Sequence, residues 1–171
     1  GLYSVVLQLG YFPMTLLMGM LGTFLTPIFF QKTDDQMAHF SQEQNSWWRI
    51  VTLAGLGISV IATVLAYLLQ GVIFQLFVSA EFQSVRSYLP VMALAGGLFG
   101  TGSLLSVRLM SHMRMIQLAK IMVGTAALGV VLLVVLTDIY GLLGTALAKL
   151  LFALSYSCWM VWATVGRRQA S

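Results

Sequence analysis

The chain has 171 residues, 59% of them hydrophobic and only 8% charged, with a formal net charge of +4 and a mean hydropathy of +0.91. A soluble domain carries about a quarter charged residues to wet its surface, so this composition excludes a water-soluble fold and describes an all-α integral membrane protein. The positive balance does not point to nucleic acid, because the cations sit mostly at the ends of apolar runs, where membrane topology places them; the single cysteine, Cys158, excludes a disulfide framework or a cysteine-based zinc site within the chain.

A bilayer core of about 30 Å takes roughly 20 apolar residues of helix, and about five stretches qualify. None alternates like a strand, and lipid admits only helices or closed barrels. The first expected span covers residues 2–30 and contains Pro13 and Pro27. Pro13 falls mid-span, where it removes a backbone hydrogen bond and is expected to kink the helix. The chain opens on Gly1 with no basic, cleavable leader, and is expected to be cut from something longer.

Residues 31–46 form the longest polar stretch. Thr33 and Gln36 have capping-box spacing for a short helix, which would lay Met37, Phe40, Trp47 and Trp48 on the membrane surface. A plain polar loop with two interfacial tryptophans is the alternative. The second span is expected at 47–69, with a short apolar segment at 71–82 trailing it. The others fall at 87–109, 115–137 and 140–165, all within a single transmembrane domain of 171 residues.

Seven of the nine cations (Lys32, Arg49, Arg108, Arg114, Lys120, Arg167 and Arg168) fall in regions that alternate with the loops holding Arg86 and Asp138. The positive-inside rule assigns those seven to the cytoplasm, with the N-terminal end outside and the C-terminus inside. Small residues at four-residue steps are expected to bring helices together: Gly96 and Gly100, Gly55 with Ser59 and Thr63, and Gly144 with Ala148. His39 and His112 fall in predicted polar loops with no cysteine at ligand spacing, so no metal or cofactor is expected. No phosphate-binding loop, nucleophile elbow or paired catalytic acids occur, and the chain is not expected to be an enzyme.

Gly1, Tyr3 and Ser4, the proline at 27 and the acidic loop with Asp34 and Asp35 form one motif. A second lies in IFQLFVSAEFQSVRSYLPVMAL, with Phe82 in a turn where Ser79 replaces a glycine. A third is Tyr140, Gly141, Gly144, Ala146 and Ala148, with Thr145 in place of an alanine. Together, in this order and covering essentially the whole chain, they resemble the Wzx-type polysaccharide and O-antigen flippases of the multidrug/oligosaccharidyl-lipid/polysaccharide exporter superfamily. The resemblance implies the C-terminal lobe of a flippase of roughly 12 helices. It further implies a multi-pass protein of the bacterial inner membrane that moves an undecaprenyl-diphosphate-linked oligosaccharide from the inner to the outer leaflet by alternating access. Its partners would be that substrate, membrane lipid, the missing N-terminal lobe of the same protein and polysaccharide-assembly proteins. A proton or sodium gradient is the implied energy source.

Other readings stay open from sequence: a cation-coupled drug exporter or peptidoglycan-precursor flippase of the same superfamily, or a small non-transporting scaffold. A membrane polymerase or acyltransferase would want a large reactive loop.

Lys149 sits about 12 Å into its helix, counting from Gly141. Facing lipid there would cost roughly 2.5–3.5 kcal/mol, so it either lines a cavity and attracts an anionic diphosphate, snorkels outward, or pairs with an acid elsewhere. Gln8 and Gln70 are further cavity candidates, with helix bridging as the alternative. Arg108, Arg114 and Lys120 are candidates for a cytoplasmic mouth, with anionic-lipid contact as theirs.

Overall fold

The computed structural model describes residues 2–35, 41–77, 85–111 and 115–165. All the regular structure among them is helical: α1 (Leu2–Val6), a π-helical turn (Leu7–Tyr11), α2 (Phe12–Asp35), α3 (Ser41–Phe77), α4 (Leu89–Ser111) and α5 (Met115–Val165), with a 3₁₀ turn at 85–88 before α4. Four of the helical stretches are long and apolar enough to cross a membrane.

The boundaries differ from expectation in ways that have local causes. Thr33 does not open a new helix, because α2 runs through it to Asp35. Gln36 to Phe40 lie outside the described residues, and α3 starts instead at Ser41, whose spacing to Gln44 is also that of a capping box. The polar stretch at 31–46 is therefore helical at both of its ends. Residues 71–77 are not a separate piece: Gly71 is only a weak interruption of a helix, and α3 continues to Phe77. Residues 78–84, which hold Ser79, Glu81 and Phe82, lie outside the described residues.

Pro13 sits in the first turn of α2, where a missing N–H is tolerated. Directly before it the chain widens into the π-turn, in which the Phe12 N–H donates to the Leu7 carbonyl. A regular α-turn would press the proline ring against the carbonyl of Leu9, and a π-turn relieves that crowding.

The 51-residue α5 is two limbs. Gly141 interrupts it at φ 58°, ψ −128°, a conformation open to glycine and strained for any residue with a Cβ. The chain folds back there so tightly that Gly144 rests on the backbone of Leu136. A Cβ on Gly129 would lie 2.7 Å from Phe152, and one on Gly124 3.0 Å from Trp159, so the limbs at 115–140 and 142–165 run antiparallel along their length.

α4 is the centre. Of its apolar window 56% is buried, against 11–22% in the other candidate spans. Three faces of small residues receive three neighbours. Gly96 meets the Tyr11 carbonyl and Met14, and Gly100 meets Met18, so α2 runs parallel to α4. Gly97 abuts Ser59, and Thr101 abuts Gly55, so α3 runs antiparallel to it. On the third face Gly102 lies under Tyr156, and the Ser157 hydroxyl donates to the Leu98 carbonyl at 2.5 Å. Ser59 and Thr101 spend their own hydroxyls on carbonyls one turn back, Gly55 and Gly97, at 2.7 and 2.9 Å. The outward surface is apolar: Phe24, Leu76 and Ile116 are 70%, 73% and 77% exposed. Water would not tolerate such a surface, whereas a bilayer requires it.

Gly141→Ala should lower unfolding stability in detergent micelles by about 1–3 kcal/mol, the strain of that backbone region. Gly57→Ala, with open space around its Cβ, should leave stability unchanged or raise it by about 0.5–1 kcal/mol. Equal effects at the two positions would contradict the fold-back at Gly141.

Candidate functional site

Lys149, Phe152 and Tyr156 stand three and four residues apart on the second limb of α5, the spacing that puts side chains on one helical face. That face meets α4 at Phe99 and the π-turn at Tyr11. The four rings form one cluster. Phe99 is 5.0 Å from Tyr156, 5.7 Å from Phe152 and 6.1 Å from Tyr11, centroid to centroid. Phe152 and Tyr156 stack within 14° of parallel at 6.4 Å.

The half-buried Lys149 lies on this cluster. Its Nζ is 4.9 Å from the centre of the Tyr11 ring and 5.7 Å from that of Phe152. Among the described residues no carboxylate pairs with it. An ammonium on a ring face gains about 0.5–1 kcal/mol when exposed and about 2 kcal/mol when desolvated. That offsets much, though not all, of the roughly 2.5–3.5 kcal/mol cost of placing a lysine at membrane depth. The Lys149 side chain is thus supported by ring faces and not by a carboxylate among the described residues.

Tyr11 is delivered by backbone geometry. A Cβ on Gly10 would lie 2.9 Å from Met92 and 3.0 Å from the Leu89 carbonyl, and one on Gly96 would lie 2.7 Å from the Tyr11 carbonyl. Two bare glycines thus dock the π-turn directly on α4. π-turns inside helices recur at functional sites. On its other side Lys149 borders a cavity of about 230 Å³ between the two limbs of α5, with Ala148, Phe152, Gly129 and Leu133 around it.

The remaining candidates are dispersed. Gln8 lies in the π-turn with its side chain exposed, and Gln70 is half-buried on α3; neither lines the Lys149 cavity. Arg108 is half-buried in the last turn of α4, and Lys120 is exposed near the start of α5. Arg114, His39, His112, Arg167 and Arg168 lie outside the described residues. Tyr11, Phe99, Phe152 and Tyr156 were not singled out from sequence. The spacing of Lys149, Phe152 and Tyr156 carried a signal; the pairing with Tyr11 and Phe99, far away in the chain, carried none.

Lys149→Met keeps the long apolar stem and removes the charge, so it should leave stability within about 1 kcal/mol of wild type, as volume-conserving swaps do. A loss above about 2 kcal/mol in detergent unfolding would make the ammonium a structural clamp rather than a ligand group. Compared with models of protein families, with curated proteins and with solved structures, the chain matches none.

Proposed function

We propose that this chain is the C-terminal lobe of a lipid-linked oligosaccharide flippase of the Wzx type. It would cross the bacterial inner membrane about five times, with the Gly141 end outside and the C-terminus in the cytoplasm. The alternating directions of α2, α3, α4 and the two limbs of α5 support this reading, as do the apolar exterior and the cation placement.

The observation that carries it is Lys149: a cation at membrane depth, seated on aromatic faces and bordering a cavity, with no carboxylate partner among the described residues. The obstacle to flipping is the head group, because a diphosphate and several sugars cannot enter hydrocarbon unaided. A cation walled by rings offers the diphosphate an electrostatic partner inside the bundle, while the lipid tail stays in the bilayer. No bond is made or broken. Alternating exposure of Lys149 to the two leaflets, with the second lobe closing the cavity, would complete the cycle, and a proton or sodium gradient would drive it. The apolar faces left open on α3 and on the first limb of α5 are where lipid and the N-terminal lobe would pack.

The test is complementation of cells lacking their O-antigen flippase with the full-length protein. At matched expression, Lys149→Gln should reduce surface polysaccharide by at least about tenfold, the loss of one charge-assisted contact, while Lys149→Arg retains it in part. Undiminished polysaccharide with Lys149→Gln would rule Lys149 out as the head-group contact.

A further inference from the structure

The two rings under Lys149 differ in what else they do. Phe152 belongs to the hairpin itself, three residues on from the lysine, and it fills the space over Gly129, where a Cβ would lie 2.7 Å from its ring. Truncating Phe152 would leave a cavity between the two limbs of α5, so its loss would report on packing as much as on the lysine. Tyr11 comes from the other end of the chain. Its π-turn packs on α4 through Gly10 and Gly96, and its half-buried ring reaches across to the last helix. It is the nearer of the two rings to the Lys149 Nζ, at 4.9 Å against 5.7 Å.

A lysine carries its charge as a point on a flexible four-carbon stem. Holding that stem still loses rotamer freedom, and a ligand that must order it on arrival binds more weakly than one that finds it already ordered. At membrane depth the stem also has a competing option, to swing along the helix toward the lipid head groups. A ring face attracts the ammonium through its quadrupole. Because the ring has no net charge, it fixes the position of the ammonium without cancelling its charge, which a carboxylate could not do. The residue so held borders the cavity of about 230 Å³ beside Gly129 and Ala148.

We propose that Tyr11 is the positioning residue of Lys149: its ring face, seated on α4 by the π-turn, holds the ammonium at the cavity before a diphosphate arrives. This rests on the reading of Lys149 as the head-group contact, but it is measured without transport. The full-length protein, labelled with ¹³C at lysine Cε, is placed in nanodiscs of zwitterionic lipid, and the Lys149 signal is identified as the one lost in Lys149→Arg. Its Hε resonances should lie upfield through the ring current of Tyr11, keep that shift in Tyr11→Phe, and move downfield in Tyr11→Leu and Tyr11→Met, which fill the site without a π-face. In calorimetric titrations with inorganic pyrophosphate, Tyr11→Leu and Tyr11→Met should each weaken binding about tenfold, the scale of one desolvated cation–π contact, whereas Tyr11→Phe stays within about threefold of wild type. In a Lys149→Gln background the same replacements should cause no further loss, since the two residues act as a pair.

The proposal is overturned if wild type binds no pyrophosphate, if Tyr11→Leu and Tyr11→Met leave either the Lys149 resonance or the affinity as in wild type, or if Tyr11→Phe loses as much as they do. An equal loss with and without Lys149 would also overturn it, because that is the mark of a purely structural tyrosine. Tyr11-dependent pyrophosphate binding alongside undiminished surface polysaccharide in Lys149→Gln would refute the flippase reading and leave the role of Tyr11 standing.

Discussion

Helices in a bilayer gain nothing by burying leucine against leucine, since lipid tails are equally apolar, so a bundle has to be held by short-range contact and by polar groups shared across helices. In this protein that requirement converges on α4. Its glycines at 96, 97, 100 and 102 point in three directions: two admit backbone or near-backbone atoms of the π-turn with α2 and of α3, and the third admits the Tyr156 ring of α5. The Ser157–Leu98 bond adds the polar part of the same arrangement. Because α4 is so thoroughly enclosed, the other helices keep most of their apolar surface outward.

That enclosure also decides where the lysine goes. Gly96 lets the π-turn lie on α4, which puts the Tyr11 ring beside the second limb of α5, and Gly102 seats Tyr156 in the same ring cluster around Phe99. Lys149 then has ring faces to lie on where it would otherwise have hydrocarbon. The stabilisation of an ammonium by π-faces is comparable to, but smaller than, its desolvation cost at this depth. A carboxylate partner would settle the charge completely and leave nothing for a ligand. Aromatic support leaves the lysine without a counter-charge among the described residues, the feature on which the proposed handling of a diphosphate depends.

The hairpin at Gly141 has a similar double consequence. A straight helix of 51 residues would be about 77 Å long, more than twice a bilayer core, so a reversal is needed if both limbs are to lie within lipid. The left-handed backbone of Gly141 provides it without a loop. Sharpness of the turn in turn brings Thr137 and Asp138 together with Thr145 and Tyr3 around one open groove.

Much of the architecture was legible in the residues themselves. Hydrocarbon-length apolar runs, too few charges to wet a surface and no strand-like alternation leave helices in lipid as the physical solution, and that solution is local. Small residues at four-residue steps marked the faces where helices meet for the same reason: periodicity along one helix is a property of that helix alone. Boundaries were less visible, because neither Thr33 nor Gly71 is a strong enough signal to stop a helix that its neighbours propagate. The site was least visible. Lys149 announced itself by its cost, but the rings it lies on, Tyr11 and Phe152, are held in a cluster with Phe99 and Tyr156, and that cluster is assembled from residues far apart in the chain. Which helix packs on which face of α4 depends on contacts between residues distant in the chain, and those exist only once the bundle is assembled.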